Sequence, residues 1–333
     1  MPREIQRMFL TGATGFFGRS LLRYIDSLQR DGRNPWRVIA MTRSKHRFLL
    51  RFPEFAGKRW LNFHEGNILA GPEAFPPDIR PTHILHAATD STPAPHVTVL
   101  NRLDLIVTGT RNVLDFAKNS GAKRFLLTSS GDVYGGQPSG IEKIPEHYSG
   151  SPDPMNPRNS YGLGKKLAEH LCAIYGAEYG LEIVVARCFA FVGPDLPMDE
   201  HFAIGNFIRD ALSRSEILIN SDGTPIRSYL YQTDLAHWLL TLLARGSAGE
   251  AYNVGSDQAI SIGDLASLIQ SKLAPDKKIR ILQKSNGNSE GRSRYVPCIR
   301  KVEEEFGLKV EIPIGEAILK SAGALKRSSI LGV

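Results

Sequence analysis

The 333-residue chain carries only three cysteines, Cys172, Cys188 and Cys298, an odd number and far apart. No C-x-x-C pair exists, so neither a disulfide framework nor a cysteine-based zinc site holds the fold, and a reducing cytoplasm is the expected compartment. Long apolar runs are missing too. The stretch 238–244 falls far short of the ~20 residues that cross a bilayer. The start, Met1-Pro2-Arg3-Glu4-Ile5-Gln6-Arg7, leads into an apolar stretch too short for a secretory signal. No membrane role is expected. Metal-ligand spacing is absent as well: His83 and His86 lie three apart on a strand-like run and so point to opposite faces, while His201 and His237 have no partners at ligand spacing. No metal is expected. No basic–aromatic pattern points to nucleic acid.

What remains is ordinary globular composition, 42% hydrophobic and 23% charged, which excludes disordered, collagenous and coiled-coil classes. The length corresponds to about two domains of ~150 residues. Forty-one Lys plus Arg against 34 Asp plus Glu give +7, a balance that favours anionic partners. Short β-branched runs predict strands at 7–10, 37–41, 83–88, 124–129 and 182–187. Helical spacing predicts helices at 19–29, 103–120 and 161–179. Strands separated by helices indicate a doubly wound α/β fold with a parallel sheet. The last third reads as a polar loop at 195–202, a helix at 203–213, a turn at 221–225 and a Gly/Ser/Asn-rich loop at 284–294.

Thr11-Gly12-Ala13-Thr14-Gly15-Phe16-Phe17-Gly18 joins the first strand to the first helix. Glycines there let the turn tighten and the backbone approach a pyrophosphate seated on the amides of a helix N-terminus. Gly12, Thr14, Gly15, Phe16, Phe17 and Gly18 are therefore candidate cofactor contacts. After the second strand, Met41-Thr42-Arg43-Ser44-Lys45 contains no carboxylate to hold the adenosine ribose hydroxyls, as NAD requires. Arg43, aided by Thr42, Ser44 or Lys45, suits a 2′-phosphate, so NADP is expected, with NAD the alternative.

Ser160-Tyr161-Gly162-Leu163-Gly164-Lys165 opens the long helix. A spacing of four sets Tyr161 and Lys165 on one face, one turn apart. A free phenol titrates near ~10, too high for a base at neutral pH. An adjacent ammonium and a cationic nicotinamide favour the phenolate and make it a usable proton shuttle. A hydroxyl from Ser129-Ser130, at a strand end, is placed to hold a substrate oxygen.

The order of the glycine loop, His86-Ala87-Ala88, Ser129-Ser130-Gly131-Asp132-Val133-Tyr134-Gly135 and Tyr161-Gly162-Leu163-Gly164-Lys165 resembles the extended short-chain dehydrogenase/reductases. It is most similar to their nucleotide-sugar epimerase, dehydratase, decarboxylase and ketoreductase branch. The resemblance runs over residues 7–310 and includes Gly223-Thr224-Pro225-Ile226-Arg227-Ser228-Tyr229 and Ala251-Tyr252-Asn253-Val254-Gly255. It implies a Rossmann-type dinucleotide domain (1–190 and 225–255) with an interleaved smaller substrate domain (191–224 and 256–330). It implies Ser130 and Tyr161 on the sugar oxygen, Lys165 on the nicotinamide ribose, and hydride exchange at carbon 4 of a hexose. Asn67, Ile68, Ala87 and Ala88 would line the cofactor. Asp90 would touch substrate, and Arg227 with Arg292 or Arg294 would grip the nucleotide diphosphate. A homodimer built on the helices 103–120 and 161–179 and a setting in polysaccharide biosynthesis follow from the same resemblance.

Several positions depart from the pattern: Ile106 and Ala190 stand where the family commonly has Asn, and Asn67 and Cys298 replace Asp. Asp132 occupies the place of the dehydratases' carbon-5 base, shortened by one methylene, and Gly131 removes its acidic neighbour. The incomplete acid set and Arg43 favour an NADP(H)-dependent reductase of a 4-keto-6-deoxy nucleotide sugar. The alternative is a 4-epimerase, 4,6-dehydratase or decarboxylase that retains its cofactor, with Asp132 catalytic. A non-catalytic nucleotide-binding protein is the third reading.

Overall fold

The computed structural model describes residues 5–89, 98–198, 202–283 and 293–330. Asp90 and Arg292, two expected substrate contacts, lie outside these residues.

The chain divides into two compact units. The first comprises Met1–Val133, Ser151–Arg187 and Ala236–Tyr252; the second comprises Tyr134–Gly150, Cys188–Leu235 and Asn253–Val333. The first unit is organised by strands β1 (Gln6–Thr11), β2 (Trp36–Thr42), β3 (Leu61–Glu65), β4 (His83–His86), β5 (Arg124–Ser130) and β6 (Glu182–Cys188). With Glu250–Val254 they form a seven-stranded sheet ordered Glu250–Val254, β6, β5, β4, β1, β2, β3. The pairs β1–β2, β1–β4, β2–β3 and β4–β5 are parallel. Met8, Phe9 and Leu10 are fully buried in succession, the signature of a central strand covered on both faces. The chain moves outward from β1 to β3 and then returns to β4 on the other side of β1. The resulting switch between β1 and β4 is where open α/β sheets leave a ligand crevice at the strands' C-terminal ends.

Helices α1 (Phe16–Arg30), α2 (Lys45–Arg51), α3 (Val99–Ser120) and α4 (Ser160–Tyr179) follow β1, β2, β4 and β5. In α1, Leu21, Leu22 and Ile25 are buried, matching the apolar stripe in the sequence. Phe9, Ile84, Ile106, Val113, Phe116, Phe125, Leu127 and Ala168 belong to one core cluster that joins sheet, α3 and α4. Four elements differ from the sequence reading. Helix α1 starts at Phe16 rather than at 19, because the glycine loop runs straight into its first turn. Helix α3 starts at Val99, capped by the Thr98 side chain, which accepts from the Asn101 amide. Strand β3 and helix α2 went unread, β3 because only Leu61 of its five residues is buried and no alternation shows.

The second unit contains small sheets. Phe191–Val192 pairs with Leu230–Tyr231, and Glu216–Ile219 pairs with Lys278–Ile281, both parallel. Ile226–Arg227 lies between Ile260–Ser261 and Arg294–Tyr295. Residue 294, read as loop, is thus a strand residue. No helix among the described residues is long and apolar enough to cross a membrane.

Candidate active site

The glycine loop is built by close backbone approach. Gly12 has φ +71°, and a Cβ there would sit 2.3 Å from the Ala87 carbonyl oxygen. Any side chain would push β1 away from the end of β4. Gly18 is equally constrained: its Cβ would meet the Gly12 oxygen at 2.3 Å. Gly15 is different. A Cβ there would make only ordinary contact, 3.5 Å from the Gly12 oxygen, so the fold itself does not require glycine at that position. Gly15 is also the N-cap of α1, which has no side-chain cap and no acid in its first turn. An uncapped helix start with room above a glycine suits a diphosphate. The residues present fit a dinucleotide.

Behind the loop lies a buried network that the sequence reading missed. Thr11 Oγ1 accepts the amides of Ala87 and Ala88 at 3.2 and 3.3 Å and lies 2.7 Å from His86 Nδ1. With two amides donating to it, the Thr11 hydroxyl gives its own proton to Nδ1. That leaves Nε2–H of His86 to donate to Thr110 Oγ1 at 3.1 Å. Burial, and then the charge of Lys165, pulls the His86 pKa down to about 3, so the ring is neutral. His83 faces the other way, half-buried edge-on to Trp36. Their different surroundings follow the alternation of the strand.

On the other side of the switch, α4 is clamped to β5. Lys165, only 2% exposed, donates to the Thr128 carbonyl at 2.6 Å and to Thr89 Oγ1 at 2.9 Å. Its ammonium lies 5.9 Å from the centre of the Tyr161 ring. One residue after Tyr161, a Cβ on Gly162 would sit 2.7 Å from the Asp132 carbonyl oxygen, so the helix start touches the turn after β5. The two serines separate cleanly. Ser129 Oγ donates to Glu169, which is held bidentate by Arg187, with the closest contact at 2.8 Å. Ser130 Oγ instead accepts the Asp132 amide at 3.1 Å, which leaves its proton for another oxygen. Ser130, Asp132, Tyr161 and Lys165 therefore gather at the C-terminal end of β5.

At the end of β2, Thr42 and Ser44 bond to each other, and Ser44 also caps α2 by accepting the Arg47 amide. The Thr42 hydroxyl is committed to the turn, Ser44 Oγ accepts an amide and keeps its proton, and Arg43 is exposed. A carboxylate does stand nearby: Glu65, opposite Thr42 on β3, accepts the Lys45 amide at 2.6 Å. Sequence reading had no signal for it, because it arrives from another strand. Asn67 turns its oxygen onto the Leu69 amide, and Ile68 is buried against Gly109.

A sequence profile described as the NAD dependent epimerase/dehydratase family matches residues 8–255. The chain belongs to that family. UDP-glucuronic acid decarboxylase 1 of Xenopus tropicalis is 28% identical over 320 residues, covering 96% of this chain and 72% of that one. A crystal structure of UDP-glucose 4-epimerase with UDP-glucose from Thermotoga maritima superposes with a TM-score of 0.81 at 22% identity, covering 97% of this chain and 100% of that one. RMD from Pseudomonas aeruginosa, complexed with NADPH, gives 0.75 at 25% identity, with 97% and 99% covered. As a member of this NAD dependent epimerase/dehydratase family, the chain uses a nicotinamide cofactor.

In the second unit, Arg227 and Arg294 lie on neighbouring parallel strands one register step apart, Arg294 pairing with Ile226 and Tyr295 with Arg227, so strand alternation sends the two arginines to opposite faces. Arg294 Nε donates to the Glu142 carbonyl at 2.7 Å, and Arg227 to its neighbour's carbonyl at 2.8 Å. The described residues hold no cluster of three or more metal-ligating side chains.

Proposed function

We propose that the chain is a nucleotide-sugar enzyme that oxidises carbon 4 of a UDP-hexose, transforms it and reduces it again on one retained cofactor, with decarboxylation of a UDP-uronic acid as the leading reaction. This displaces the net ketoreductase as first choice. The observation that carries it is the Ser130–Asp132–Tyr161–Lys165 assembly at the end of β5, and the decarboxylase relatives along 96% of the chain support the substrate class. A bound nicotinamide would take a hydride from carbon 4 and return it. Tyr161 would remove the proton of the carbon-4 hydroxyl and give it back after the return. Ser130, its lone pair engaged by the Asp132 amide, would direct its proton to the same oxygen. A ketone at carbon 4 lies β to a carbon-6 carboxylate, so loss of carbon dioxide leaves its electrons on the oxygen that Tyr161 and Ser130 hold. Asp132 would pass to carbon 5 a proton drawn from solvent, in place of the lost carboxyl group.

Arg43 and the NADPH-bound neighbour support NADP as the cofactor. These two observations also keep the reductase of a 4-keto nucleotide sugar as the second reading. Arg227 is the proposed diphosphate ligand, in a substrate-binding second unit. A homodimer through α3 and α4 is part of the same reading, supported by Leu100 and Tyr179, which stand 72% and 50% exposed on these helices.

The purified protein decides between the two. Incubated with UDP-glucuronic acid and no added cofactor, it should release carbon dioxide and a UDP-pentose visible by NMR. Stoichiometric NADPH loss with a 4-keto sugar, and no turnover of UDP-glucuronic acid, would reverse the order of the readings.

A further inference from the structure

We propose that Arg102 is an oxyanion-binding residue of the β1–β4 crevice, its guanidinium taking the diphosphate of the dinucleotide; the proposal rests on the functional reading above. Arg102 lies one turn before Ile106 in α3, at about 40° from it around the helix axis and about 20° from Gly109. Ile106 is 1% exposed in the core cluster, and Gly109 abuts Ile68, so this stripe faces the interior. Side chains tilt toward a helix's N-terminus. Helix α3 returns from β4, so that direction carries Arg102 past the C-terminal ends of β4 and β1. There the glycine loop meets Ala87.

The guanidinium is incompletely satisfied. Arg102 is partly buried; its Nε is buried and makes no hydrogen bond, and no ion pair with the described residues engages the group. An arginine stays charged at any working pH, and a desolvated donor without an acceptor is costly, so the folded chain holds this cation in wait for an anion. The fork geometry matches two oxygens of a phosphate or a carboxylate. The crevice at that end of α3 is the one whose helix start already suits a diphosphate. A carboxylate on the sugar is the other source of the same chemistry.

Arg102→Met keeps the length of the stem and removes the charge, and Arg102→Lys keeps the charge without the fork. Both are made in the full chain. Isothermal titration with NAD, NADP, UDP-glucuronic acid and UDP-glucose reads binding, and a thermal melt of the protein freed of ligand reads stability. Arg102→Met is expected to weaken dinucleotide binding about 10- to 100-fold, the range of a lost charge-assisted bond, with partial recovery in Arg102→Lys. Its ligand-free melting point should match or exceed wild type, because an unsatisfied cation has gone. A loss confined to UDP-glucuronic acid, with UDP-glucose and dinucleotides unaffected, would assign the oxyanion to the sugar carboxylate. Unchanged binding of all four ligands, or a lowered ligand-free melting point that accounts for the loss, overturns the Arg102 role and leaves the functional reading intact. A wild-type chain that binds none of the four overturns both.

Discussion

The Lys165 ammonium donates to the Thr128 carbonyl at 2.6 Å, two residues before Ser130 on the same strand. This bond fixes the helix that carries Tyr161 against the strand that carries Ser130. It also spends one of the three ammonium donors on the fold and a second on Thr89.

Replacing Tyr161 with Phe should therefore cut turnover by about 10²–10⁴-fold, the usual share of a positioned acid–base. Cofactor affinity should stay within about twofold, since the ring and Lys165 remain. Ser130→Ala should show a comparable loss. Ser129→Ala should keep turnover and lose about 1 kcal/mol of stability, because its hydroxyl serves the Glu169–Arg187 pair. Carbon dioxide release and urea melts measure these effects. An active Tyr161→Phe enzyme would remove the proposed proton path.

The glycine loop contains two kinds of glycine, and the difference is measurable. Gly12→Ala places a methyl 2.3 Å from a carbonyl at φ +71° and should destabilise the protein by about 2–5 kcal/mol. Gly15→Ala should fold with near wild-type stability yet lose dinucleotide affinity by at least about tenfold, because its methyl projects where phosphate oxygens would sit. Equal stability losses in both variants would contradict this division.

On the proposed reading, cofactor choice turns on Arg43, just after β2, and Glu65, at the end of β3. Arg43→Ala should reduce NADP affinity about tenfold or more while barely changing NAD. Glu65→Gln should shift the preference toward NADP, because the carboxylate repels a phosphate and Gln can still accept the Lys45 amide. Fluorescence titration with both reduced cofactors reads the ratio. A parallel loss of both cofactors in Arg43→Ala would argue against a 2′-phosphate site.

Stability should fall on mild acidification. Burial lowers the pKa of His86 from 6.5 to about 3, and that of His83 to about 4 with help from Arg124. Below 6.5 the unfolded chain takes up protons that the folded chain refuses, so stability drops as pH falls toward those values and is unaffected by these groups above 6.5. The urea midpoint should already decline between pH 7 and 5, before most carboxylates titrate. His86→Gln should be weaker at pH 7 but show a shallower slope. A flat wild-type profile over that interval would refute the neutral-histidine network.

The doubly wound sheet was legible because its strands are short, apolar and separated by helices whose faces repeat at helical period. The glycine loop and the Tyr161–Lys165 pair were legible for the same local reason: their chemistry needs residues within one turn of each other. Strand β3 was not, since an edge strand with mixed burial leaves no alternating trace. The residues by themselves left Ser129 and Ser130 open and only the family resemblance pointed to Ser130, because their neighbours in space come from Glu169 and from the backbone of Asp132.

The sequence alone determined the glycine turn, the spacing of phenol and ammonium, and the layered α/β architecture, all of which depend on contacts close along the chain. Only the tertiary structure decided which serine keeps a free proton, that Glu65 stands beside Arg43, that His86 is locked neutral, and that Arg102 holds a buried, unpartnered donor. Each of these depends on burial or on a partner tens of residues away. Desolvation and long-range pairing set the charge and direction of a side chain, and neither is written in its neighbours along the chain.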